Sequence, residues 1–290
     1  MKASAFASAF PSFAAWESAA VSLAASGENI APSMVPLKLT HPDGRSASLM
    51  VATDYFMVGE PDDFLRLPLT PVTAQKVANL SGLLLPTPKL VFTIWQQSEV
   101  KLSPTSIAAL KPSEPNKGAN MAQYLRHNAA IEAQLAGRAG LVSGHKKDVV
   151  VGNAQKAGKV LIFGWYRPSP DVFDDRSSME NPARQPIQPY SNVHGDFYVD
   201  YSHGIRFVSP VMTVEGQDVE TEKVFTDASL SGFVSHEGPV RQPRYPAPFP
   251  SSARKPPLIS RNRGSGVFTS TLTGYVDVGT EVLIANARKA

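Results

Sequence analysis

The sequence predicts a mixed α+β protein, with N-terminal helices and a hairpin packed with a mainly antiparallel, β-rich C-terminal half. Three observations carry this prediction. Thr70-Pro71 and Thr87-Pro88 each set a capping hydroxyl before a proline suited to the first helical position. The strand-like runs Val35–Thr40 and Ser46–Val58 flank His41-Pro42-Asp43-Gly44, a turn sequence, and so read as a hairpin. From Asp148 onward, short apolar runs punctuated by glycine and proline replace helical spacing.

In chain order, Pro11 opens a helix that continues to about Ala25 and stops at Gly27, with Phe13, Trp16, Ala20 and Leu23 on one face. The first Thr-Pro helix ends at Ser81-Gly82. The second carries Leu90, Val91, Ile94 and Trp95 as a stripe of the kind that packs into a core. Residues 103–120 read as a surface loop, and Met121, Tyr124, Leu125, Ile131 and Leu135 mark a further helix ending near Gly137–Gly140. Strands are expected at Asp148–Val151, Lys159–Tyr166, Asp196–Val208 and Val211–Glu215, with a long polar loop at Arg167–Pro189. Seven prolines in residues 239–257 predict an extended arm, followed by strands at Val267–Val276 and Glu281–Ala285. The division expected is a helical extension (1–30), a main α+β domain (31–238) and a proline-rich basic arm with terminal strands (239–290).

Of the 290 residues 42% are hydrophobic and 18% charged, a balance that fits a folded chain rather than a disordered one. The absence of cysteine excludes disulfides, thiolate metal sites and cysteine nucleophiles. The net charge of +3 is uneven: residues 239–290 carry +6 and the remainder −3. That asymmetry predicts an anionic partner or an acidic neighbouring subunit, with nucleic acid a candidate through the arm and a homo-oligomer a second. No apolar run approaches the ~20 residues that cross a bilayer, so no membrane partner is expected. Lys2 and the following apolar residues imitate a short signal peptide, but Pro11, Trp16 and Glu17 interrupt it. The expected location is cytoplasmic or virion-associated, with secretion as the alternative.

The segment richest in chemistry is Ser191–Arg206. Read as a strand, it sets His194, Asp196, Tyr198, Asp200 and Ser202 on one face, and Phe197, Val199, Tyr201 and His203 on the other. A bulge near Ser202 would return His203 to the polar face; without one it is a core histidine. A histidine poised by an aspartate is the usual general base, and nearby Tyr, Lys or Arg can stabilise a developing anion. His145, Lys146 and Asp148 offer a second wall. The expected catalytic residues are therefore His145, Asp148, His194, Asp200 and His203. The expected substrate-binding residues are Lys146, Tyr198, Tyr201, Ser202 and Arg206. No metal site and no cofactor is expected: HExxH, HxH, P-loop and GxGxxG spacings are all missing, as is a GxSxG elbow.

Asp54-Tyr55-Phe56, Leu85-Pro86-Thr87, Gly144-His145-Lys146-Lys147-Asp148 and Asp200-Tyr201-Ser202-His203-Gly204 together resemble a set of uncharacterised bacterial or phage-encoded proteins, over roughly residues 30–240. That resemblance implies no activity and assigns no residue a role. The functional expectation is a hydrolase using His/Asp chemistry on a cell-wall, glycan or peptide polymer. Its alternatives are a virion structural or assembly protein whose arm contacts neighbouring subunits, and a nucleic-acid-binding module.

Overall fold

The computed structural model describes residues 1–10, 12–28, 32–107, 120–167 and 186–247. The N-terminal extension forms two helices, α1 (Ala3–Ala9) and α2 (Phe13–Ser26). Ser12 caps α2 by accepting from the Ala15 amide, and Gly27, at φ 73°, ends it in the left-handed conformation that glycine adopts without penalty. Phe6 and Trp16 are buried, so both helices lie on the body.

The predicted hairpin is β1 (Met34–Thr40) and β2 (Ser46–Ala52), in antiparallel register with Leu37 opposite Leu49. The single run predicted to continue to Val58 instead breaks after Ala52. Asp54, Tyr55 and Phe56 are all buried in succession, which the two-residue alternation of a strand cannot provide. A separate hairpin follows, β3 (Met57–Glu60) with β4 (Asp63–Arg66). Both Thr-Pro helices form as predicted, α3 (Pro71–Leu80) and α4 (Pro88–Gln97). Thr70 and Thr87 accept from the amides of Thr73 and Leu90. The Leu90, Val91, Ile94 and Trp95 stripe is core.

β5 (Val100–Lys101) precedes α5 (Met121–Leu135), which ends at Ala136 and Gly137, both left-handed. β6 (Val142–Ser143) pairs with β5, and then come β7 (Lys147–Val149), β8 (Ile162–Gly164), β9 (Gln188–Ser191) and β10 (His203–Gly204). The chain closes with β11 (Val208–Val214), β12 (Gln217–Glu220) and α6 (Thr221–Thr226). Two four-stranded sheets result, ordered β1-β2-β11-β12 and β10-β7-β8-β9. The first is antiparallel throughout and joins the N-terminal hairpin to the C-terminal half; the second has one parallel pair, β10 with β7. This is the mixed α+β architecture predicted, with α4 packed against strands of both sheets.

The strand expected over Asp196–Val208 is not one strand. Residues 195–198 and 200–203 form turns, closed by Tyr198 N–H to Gly195 O (3.0 Å) and His203 N–H to Asp200 O (3.1 Å). The Asp200 carboxylate accepts from the Ser202 amide (2.8 Å) and hydroxyl, and this local side-chain bonding outcompetes extension. Phe197, expected on a buried apolar face, is 82% exposed for the same reason. Part of each predicted loop (108–119 and 168–185), most of the basic arm (248–290) and both terminal strands expected there lie outside the described residues. Before that point Tyr245 is buried, its hydroxyl donating to Val150 O at 2.8 Å. Among the described residues no helix is long and apolar enough to cross a membrane.

Candidate functional site

The two histidine-bearing motifs lie side by side. β10 pairs with β7 in parallel, His203 opposite Lys147 and Gly204 opposite Asp148. Successive residues of a strand point to opposite faces, so this register makes two polar clusters, one on each side of the sheet.

On one side the phenol of Tyr55 donates to Asp148 Oδ2 at 3.0 Å, and Arg206 Nε lies 3.7 Å from Oδ1. Arg206 also covers the Tyr55 ring at 4.3 Å and donates to the carbonyls of Ala52 and Val142, both at 2.7 Å. Burial pushes the Asp148 carboxyl up to about 7, against the pull of Arg206 and Tyr55. Gly204 makes this packing possible. A Cβ there would sit 2.5 Å from the Tyr55 ring. We expect Gly204→Ala to destabilise the fold by roughly 1–3 kcal/mol, the usual range for overpacking. A chemical-denaturation midpoint equal to that of the wild type would count against this contact.

On the other side Asp200 is the centre. Besides Ser202, it accepts from the Tyr198 hydroxyl at 3.0 Å, and Lys147 Nζ lies 3.9 Å away. Burial raises the Asp200 carboxyl, but His203, Lys147 and the Ser202 hydrogen bonds outweigh it and hold the group below the ordinary carboxylate range. His203 is fully buried, and burial lowers it to about 4, so its ring is neutral at pH 7. Tyr198 packs edge-on to His203 with ring centres 5.7 Å apart, and His194 stacks on Tyr198 at 4.0 Å and 16°. His194 and Tyr198 are half-buried, with Val193 (73% exposed) and Phe197 (82%) standing out beside them.

His145 belongs to a third group. Its Nε2 lies 3.2 Å from Asp54 Oδ1, and its ring is edge-on to Tyr55. Asp54 accepts two-pronged hydrogen bonds from Arg66, which also donates to Glu132 and Asn128. Burial opposes the Asp54 charge, but Arg66 and His145 hold it ionised. Burial lowers His145 to about 4. Lys146 is buried and lowered to about 7, first by burial and then by Arg66; its ammonium donates to Tyr201 O at 2.7 Å. The Tyr201 ring packs on His127, 5.0 Å between centres.

Of the ten predicted residues, His194, Tyr198, Asp200, Ser202 and His203 converge. Asp148 and Arg206 form the opposite cluster, His145 joins Asp54, and Lys146 and Tyr201 meet through a backbone carbonyl. Sequence reasoning missed Asp54, Arg66, Lys147 and Trp165. The parity of the two motifs contained the Lys147 signal, because the residue paired with His203 shares its face. Arg66 carried none. Among the described residues no three His, Asp or Glu side chains converge as a metal site.

Trp165 lies between Lys147 of the Asp200 cluster and a cleft lined by other described residues. The Lys147 ammonium lies 4.9 Å from its ring centre, and its indole N–H donates to His145 O. The same residue lines a cleft of about 420 Å³ together with Ser103, Pro104, Ser106, Arg167 and Ile187. No protein-family model matches the chain, and no curated protein or solved structure matches it.

Proposed function

We propose that the protein is a hydrolase that works by general acid–base catalysis on a peptide, glycan or cell-wall polymer. The observation that carries this reading is the anchored stack of His194 on Tyr198, with the Tyr198 hydroxyl fixed by Asp200 beside the Lys147 ammonium. An imidazole held in one orientation at a half-buried position is equipped to take a proton from an attacking water. Lys147 supplies positive charge for the oxyanion that develops. Asp200 and His203 are positioning residues behind this pair. Val193 and Phe197 flank His194 as exposed apolar surface on which a polymer can seat. The clustering of shifted titratable groups is the pattern that active sites require. The assembly and nucleic-acid alternatives draw on residues 239–290, and no observation among the described residues favours either.

The test is hydrolysis of peptidoglycan, a β-glucan and casein by the full chain. Active wild type is expected on at least one of them. His194→Ala should lose about 10²- to 10⁴-fold in rate, the range for a general base, with an unchanged melting curve. Tyr198→Phe should lose less, since the ring remains for stacking. Full turnover by a folded His194→Ala variant, or no turnover by wild type on all three polymers, would sink the reading.

A further inference from the structure

We infer that a buried cavity beside α4, β6 and β7 binds one water molecule, held by Trp95, Ser143 and Asp148. The cavity offers about 10 Å³ to the centre of a water, which is room for one. α4 packs against β6 and β8 there, and every described residue of the wall is buried, so the space belongs to the interior. Three side chains of that wall carry buried polar atoms with no hydrogen-bond partner among the described residues: Trp95 Nε1, Ser143 Oγ and Asp148 Oδ1. Buried polar atoms in folded proteins are nearly always paired, with protein or with ordered water.

The neighbouring groups are committed elsewhere. Arg206 Nη1 and Nη2 donate to the carbonyls of Ala52 and Val142, which holds Nε 3.7 Å from Asp148 Oδ1, too long for a hydrogen bond. The Tyr55 phenol donates to the other oxygen of the same carboxyl, and the Lys146 ammonium donates to Tyr201 O. Trp95 packs on Tyr166 with ring centres 4.9 Å apart at 31°, so its indole cannot swing to a new partner without breaking that packing.

The polar set specifies the ligand. The indole N–H only donates, an ionised carboxylate only accepts, and the Ser143 hydroxyl does either. The ligand must therefore accept and donate at once. Chloride cannot donate. Ammonium or a metal cation cannot accept, and it would face Arg206. Water does both, and about three hydrogen bonds are usual for a buried one. Burial raises the Asp148 carboxyl to about 7, so near neutral pH it changes between acceptor and donor, and a water can turn to follow it. The bound water links side chains of α4, β6 and β7 into one network, and it does so whether or not the protein is a hydrolase.

Oxygen-17 magnetic relaxation dispersion, which counts the waters held inside a protein, tests this on the full chain. Ser143→Val removes the hydroxyl and sets an added methyl into the cavity. The wild type should hold one long-lived water more than this variant. A crystal structure of the full wild-type chain gives a second reading that needs no variant. It should show a single peak at about 2.7–3.2 Å from Trp95 Nε1, Ser143 Oγ and Asp148 Oδ1. Crystals grown with bromide in place of chloride should show no anomalous peak there. Equal water counts in the wild type and a folded Ser143→Val, a cavity without density, or a bromide peak would each overturn the inference.

Discussion

Arg66→Met should destabilise the protein by roughly 3–5 kcal/mol, enough to unfold much of a chain of ordinary stability. Arg66 is 2% exposed, and Asp54 is 7% exposed. The guanidinium reaches Asp54 through Nε at 2.9 Å and Nη2 at 2.6 Å. Removing it leaves an ionised carboxylate out of water with the Tyr55 N–H (2.7 Å) and His145, itself neutral near pH 7, as uncharged partners. The partly exposed Glu132, 2.6 Å from Nη1, adds little to this expectation because solvent screens it. The double variant Asp54→Leu/Arg66→Met removes both charges and should be more stable than Arg66→Met alone. Urea denaturation of the two variants checks the pair. A double variant at least as unstable as Arg66→Met would show that the partners do not act as a unit.

Acidification should unfold the protein well above the pH at which carboxylates titrate. His127, His145 and His203 are fully buried, and burial lowers all three, to about 4 for His145 and His203. The unfolded chain takes up these protons near pH 6.5. Between about pH 4 and 6.5 the unfolded state therefore holds more protons, so stability rises with pH across that window and is lost as pH falls through it. The effect is on the order of 3 kcal/mol per histidine. Asp148 acts in the opposite sense: raised to about 7 from 3.8, it holds a proton in the fold that the unfolded chain lacks, so stability falls as pH rises between these values. Three histidines against one carboxyl leave a net loss on the acid side. A urea midpoint that stays level from pH 6.5 to 4 would rule out three neutral buried imidazoles.

Much of the fold is legible because its signals are local. Thr70-Pro71 and Thr87-Pro88 carry their own caps, and the Leu90 to Trp95 stripe repeats at helical spacing. The site was legible in its membership more than in its geometry. Polar residue types singled out Asp200 and His203, but alternation failed there because Asp200 bonds its own turn. It also failed at Asp54 and Tyr55, which are drawn inward by partners 12 and 93 residues away. No sequence period encodes such distances. The split between His145 and His203 likewise depends on pairing register, which is set only when β10 finds β7.

That pairing also bears on how the protein comes together in time. The Tyr55–Asp148 contact and the β7–β10 register each close a long stretch of chain, and closure entropy must be met before either contact repays it. The helices and the β1–β2 hairpin can form from neighbours alone. The polar clusters are expected to come last, so during refolding the charges of Asp148 and Arg206 should stay hydrated until the two motifs dock, and the chemistry of the site should appear only with the final compact state.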